Sequence, residues 1–174
     1  MKKQSSLLLI LMLLLVLAGC GAKSAPTEPP ELTVTNAQGV SITAMGGSYD
    51  WDYEAGGGQR TGAIACGMHP LDETLRDSTP ALEMPIAVSA SFYYTVTLDF
   101  GDCAPDSVTL RYWNEQCWGD TQATAEKLTV QRQDDGTYTV ELFPSIGIFE
   151  VDAQWDTEDY CGRAFYSFCT KVAE

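Results

Sequence analysis

Residues 128–143 read "LTVQRQDDGTYTVELF", two alternating runs around Asp134-Asp135-Gly136. If those three residues form the loop of a hairpin, Leu128 faces Leu142, Val130 faces Val140, and Arg132 faces Tyr138. Apolar then meets apolar along one side of the ladder. A two-residue loop slips the register by one and sets apolar against polar throughout, because side chains alternate between faces. The three-residue loop needs one residue in the left-handed region, and Gly136 takes it without steric penalty. The stretch is therefore an antiparallel hairpin with one face turned to a core.

The same alternation recurs along the chain. It predicts strands at 32–35, 40–44, 48–53, 62–66, 91–100, 108–113, 127–133, 137–143, 148–155 and 163–172, separated by Gly, Asp, Asn and Pro. A final hairpin sets Phe149, Val151, Ala153 and Trp155 against Ala164, Tyr166, Phe168 and Val172, with 156–162 joining them. No helix shows both caps and a 3.6-residue period. The nearest is 71–82, where Asp72 caps one short turn and Pro80 stops it. Many short antiparallel strands of this kind indicate an all-β fold, an antiparallel β-sandwich over 32–174.

The chain opens differently. Lys2 and Lys3 precede an unbroken apolar run at 7–17, and Ala18-Gly19 leads to Cys20. The order is that of an export signal over 1–19, too short for a permanent span of roughly 20 apolar residues. Leu17-Ala18-Gly19-Cys20 resembles a bacterial lipobox, which implies cleavage before Cys20 and lipid on its sulfur. Residues 20–31, with Gly21, Ala22, Ser24, Pro26, Pro29 and Pro30, then read as the lipidated cysteine and a short Pro-rich linker. The expected location is extracytoplasmic, lipid-anchored to the bacterial cell membrane. The bilayer is the expected partner through acylated Cys20.

Loss of Lys2 and Lys3 with no acid would take the formal charge from −14 to −16. Such a surface repels phosphate backbones and anionic bilayers alike, which argues against a nucleic-acid partner.

"GSYDWDYEAGGG" at 47–58 and "CGMHPLD" at 66–72 resemble the N-terminal part of immunoglobulin-like domains in small lipoproteins of Firmicutes. Similar domains form tails of antibiotic-sensing membrane metalloproteases. The resemblance implies an immunoglobulin-like sandwich and a membrane-anchored location, and no chemistry. This chain departs by adding cysteines. It also lacks the usual cysteine pin around a buried Trp, since Phe92, Tyr94, Val96 and Leu98 fill one of the strands concerned.

Besides Cys20 the chain carries Cys66, Cys103, Cys117, Cys161 and Cys169, and an exported chain favours disulfides. Cys103 and Cys117 bracket a strand too long for a disulfide to span. Cys103 and Cys161 fall in loops expected at one end of the sandwich. Their bridge would close a loop of roughly 60 residues and contribute about 3–4 kcal/mol. Cys117 then has Cys66 or Cys169 as partner.

Candidate chemistry is sparse. Cys66, Met68 and His69 bring thiol, thioether and imidazole together, a donor set suited to Cu(I) or, without the thioether, Zn²⁺. His69 is the single histidine, and no nucleophile motif, phosphate loop or metalloprotease pattern accompanies it. No catalytic residue and no cofactor is assigned. Asp156, Glu158 and Asp159 form an acidic loop without full Ca²⁺-ligand spacing. Tyr49 and Trp51 are expected in the core. Trp118, in the polar stretch 114–126, is the expected exposed binding aromatic. The expected function is a binding module for a protein or envelope ligand. The alternatives are redox or metal handling through Cys66, Met68 and His69, and an envelope hydrolase using a carboxylate pair.

Overall fold

The computed structural model describes residues 25–86 and 93–173. The expected export signal, Cys20 and the start of the strand expected at 91–100 lie outside the described residues. The strands are β1 Thr33–Thr35, β2 Ser41–Thr43, β3 Met45–Gly56, β4 Gln59–Ala65, β5 Ala81–Met84 and β6 Tyr94–Asp99. They continue with β7 Ser107–Asn114, β8 Glu126–Leu128, β9 Gln131–Arg132, β10 Tyr138–Leu142, β11 Gly147–Asp156 and β12 Tyr160–Val172. Two short 3-10 turns, Glu73–Leu75 and Glu115–Cys117, are the described helical pieces.

Two sheets face each other as a β-sandwich. One runs β2-β1-β6-β10-β9; the other runs β4-β3-β12-β11-β7-β8, with β5 added beside β12. All pairings are antiparallel except β5 with β12.

The β9–β10 hairpin has the expected register. Arg132 pairs with Tyr138 and Gln131 with Thr139, and Gly136 sits at φ +88°. Leu128 corrects the expectation. It pairs with Leu110 in the seven-stranded sheet and not with Leu142. The strand expected at 127–133 breaks at 129–130 because the chain crosses there from one sheet to the other. Leu128 and Val130 still pack on the common core from either side of the crossing.

The last hairpin is the backbone of the core. Phe149 pairs with Phe168, Val151 with Tyr166 and Ala153 with Ala164, all buried. Phe149 and Phe168 stack at 4.9 Å, and Trp51, Trp155, Phe100 and Tyr166 continue an edge-to-face chain with centroids 5.1–5.7 Å apart. Trp51 is fully buried and Tyr49 packs on the same core, as expected. Val172 does not belong to the buried row. It is exposed at the end of β12, and buried Thr170, bonded to the Ser145 carbonyl at 2.6 Å, occupies the row.

Asp72 caps the first 3-10 turn by accepting from the Thr74 amide at 3.0 Å. The chain beyond it does not remain helical. It forms β5, which pairs parallel with β12 from Cys169 to Val172.

The expected linker also differs. The Trp51 indole donates to the Pro26 carbonyl at 2.8 Å, and the Tyr166 hydroxyl donates to the Pro30 carbonyl at 2.7 Å. Residues 26–31 therefore dock on the sandwich. Their few apolar side chains are no guide, because the backbone carbonyls supply the attachment.

Candidate functional site

Residues 66–80 and 115–125 fold over the outer face of the seven-stranded sheet and bury a second, smaller cluster there. Leu71, Trp113 and Ile148 are its centre, with Cys117, Trp118, Ala123, Ala125 and Cys169 packed around them. The Leu71 carbonyl accepts from the Gly119 amide at 2.8 Å, and the Trp113 indole donates to the Ala123 carbonyl at 3.0 Å.

Beside this cluster the covering segment stops and leaves an open groove of about 290 Å³. Met68, His69 and Pro70 form one wall, Ser48 and Gly67 another, and Glu150, Phe165 and Ser167 the floor. Gly67 is required. A Cβ there would lie 2.6 Å from the Gly47 carbonyl carbon, so backbone meets backbone at that wall. Gly47 and Ser48 lie where the β3–β12 register shifts, a place where bulges re-aim side chains.

The floor continues into an ion-pair network. Arg111 pairs with Glu150 and, at 3.1 Å, with Asp152. Arg163 holds Asp152 bidentately at 2.7 and 2.6 Å. That hydrogen-bonded carboxylate holds the Arg163 guanidinium above its ordinary pKa. The guanidinium also lies 4.7 Å from the Phe165 ring centroid. Glu150 and Asp152 share one face, as a hydrolytic pair would, yet each is bound to arginine and the Asp152 side chain is 5 % exposed. A carboxylate so engaged is not presented to a substrate.

Met68 and His69 line the groove, each with a hydrogen-bond partner of its own, and Cys66 is not part of that lining. His69 Nδ1 accepts from the Leu71 amide at 3.2 Å, and its ring sits 5.9 Å from Trp113. The Met68 sulfur accepts from the Thr74 hydroxyl at 3.8 Å. Cys66 is exposed at the end of β4. Among the described residues no group of three or more His, Cys, Asp or Glu side chains could hold a metal ion.

All five described thiols are free. The expected Cys103–Cys161 bridge is not formed, although both residues lie at one end of the sandwich. Tyr160 turns inward, stacking on Trp51 at 5.3 Å and bonding to Cys103, so the next residue turns outward. Cys161 accordingly receives Arg60 at 3.3 Å, and Arg60 also holds Asp52 at 2.5 Å. The two sulfurs thus have different partners, Tyr160 for Cys103 and Arg60 for Cys161. Cys117 and Cys169, by contrast, share the second cluster, and Cys66 does not.

No protein-family model, curated protein or solved structure matches the chain.

Trp118 is half-buried against the second cluster and is not the open aromatic that its polar neighbours predict. Exposed apolar residues also occur at Val40, Ile64, Met68 and Val172, but four gather elsewhere. Ile86, Tyr93, Phe143 and Ile146 are 59 %, 59 %, 39 % and 47 % exposed, and the Tyr93 and Phe143 rings meet edge to face at 6.0 Å. They flank the last residues of β5 and β10 and the first of β6 and β11. The register brings those strand ends to one end of the sandwich, with Tyr94 opposite Leu142 and Met84 opposite Val172. Sequence reasoning missed this patch. The one signal was Pro144, which ends β10 and leaves Phe143 just beyond the ladder.

The opposite end is acidic. Asp102, Asp106, Asp134, Asp135, Glu158 and Asp159 lie in or beside its three loops. Asp156 belongs to that end too, and its amide is held by the Asp106 carboxylate at 2.7 Å.

Proposed function

We propose that the chain is a lipid-anchored, extracytoplasmic binding module that engages a protein partner through the apolar end at Ile86, Tyr93, Phe143 and Ile146. The carrying observation is the polarity of the sandwich. Pro26 is fastened to Trp51 beside the acidic end, and the chain runs from there past Tyr166 into β1. An anchor at Cys20 would therefore leave the apolar end pointing away from the bilayer. Exposed aromatic and aliphatic side chains gathered at one place mark recognition surfaces, and protein interfaces favour Tyr and Phe while depleting charge at their centre. The strong negative charge of the whole chain disfavours an anionic lipid or nucleic acid as occupant.

The metal-handling and hydrolytic alternatives have less support. Met68 and His69 already hold hydrogen-bond partners, and Glu150 and Asp152 are engaged by arginine.

Site-specific photocrosslinking in intact cells tests the reading. A photoreactive residue at position 93 or 146 is expected to give discrete protein adducts that the same residue at 134 does not. Adducts equally frequent at both ends, or adducts at 93 that survive Phe143→Asp unchanged, would refute the proposed surface. Palmitate labelling of the wild-type chain and of Cys20→Ser tests the anchor separately.

A further inference from the structure

The geometry points to Cys117 and Cys169 as a closable dithiol that a disulfide donor converts into an intramolecular cross-link, pinning the segment 114–125 to β12. Three observations carry it. Cys169, Ile148 and Trp113 are successive partners in register across β12, β11 and β7, on the outer face of the sheet. Cys117 lies on the 3-10 turn that follows β7, capped by Asn114. The Gly119–Leu71 hydrogen bond folds the chain after it back over the same cluster, so both cysteines pack on Leu71, Trp113 and Ile148, with the Cys117 thiol donating to Asn114 Oδ1 at 3.6 Å. The other three described cysteines have no such neighbour. Cys66 is exposed at the end of β4, while Cys103 is engaged by Tyr160 and Cys161 by Arg60.

The step is thiol–disulfide exchange. The Cys117 thiol loses its proton and its sulfur attacks a small-molecule or protein disulfide. This forms a mixed disulfide and releases one half of the donor as a thiol. The Cys169 thiol then gives its proton to solvent and attacks the Cys117 sulfur, expelling the second half. Two protein thiols and one donor disulfide become one protein disulfide and two donor thiols. Burial that raises the Cys169 thiol to about 11 makes the second step the slow one. The exchange needs only a donor, so it stands apart from the location proposed above.

The test uses the full chain in detergent, treated with oxidised glutathione, quenched with acid, alkylated in urea, digested and mapped by mass. The expected result is loss of both alkylatable thiols and a peptide pair joining Cys117 to Cys169. In Cys169→Ala, Cys117 is expected to stop at the glutathione adduct, and in Cys66→Ala the link is expected to persist. A link from Cys117 to Cys66, or alkylation of both residues after oxidation in the wild-type chain, would overturn the assignment. So would a permanent glutathione adduct on wild-type Cys117.

Discussion

Ionising Cys169 would place a negative charge against Leu71, Trp113 and Ile148 with no cation beside it. Burial therefore raises its pKa from 9.0 to about 11 in the folded chain. The folded state holds this proton more tightly than the unfolded state. The stability that follows is present in full below pH 9 and is lost as pH rises toward 11. Two pH units correspond to at most about 2–3 kcal/mol. Burial also raises Tyr166 and Tyr138, in the same direction, so wild type alone cannot isolate the thiol. Urea unfolding of wild type and Cys169→Ala at pH 8 and pH 11 does so. Wild type should lose roughly 2 kcal/mol more than the variant over that interval. Equal losses would show that the thiol is not held neutral by its surroundings. At this scale the sequence was readable where chemistry is local. Asp72 with Thr74, and Gly136 after two aspartates, declare their turns within a few residues. Trp118 was misread because its burial depends on Leu71 and Ile148, which no local pattern places beside it.

Among the elements, the segment 26–31 shows what local reading misses. Its composition is that of a linker, yet its carbonyls are bonded to donors 25 and 136 residues away. Trp51→Phe keeps most of the ring in the core and deletes the donor to Pro26. The expected loss is about 1 kcal/mol, one net hydrogen bond, together with faster proteolysis within 26–31. Denaturant unfolding and limited digestion check both. Unchanged digestion would mean that the indole bond does not hold the segment. The same principle explains the break at 129–130. Alternation fixed the register of β9 against β10, but no Gly or Pro marks where the strand leaves one sheet for the other. β5 was hidden for a related reason. Its four residues gain their identity from β12, far along the chain, and not from a period of their own.

For the molecule as a whole, the two ends of the sandwich carry opposite surface character, and the route of the chain fixes which end an anchor at Cys20 would meet. Only five residues lie between Cys20 and docked Pro26, and the six steps of chain reach at most about 20 Å. A lipid on Cys20 would thus hold the acidic loops within that distance of the bilayer and the Tyr93–Phe143 end far beyond it. Charge adds a second effect. Acidic loops facing an anionic bilayer repel it over a Debye length, about 10 Å at 0.1 M salt, and higher salt shortens that range. The lipidated protein in vesicles containing spin-labelled anionic lipid provides the measurement. A fluorophore at position 135 should be quenched more than one at position 93, and its quenching should grow as salt rises, while position 93 stays nearly unchanged. Stronger quenching at 93 would mean that the apolar residues lie on the membrane, and the surface proposed for a protein partner would be a lipid contact instead.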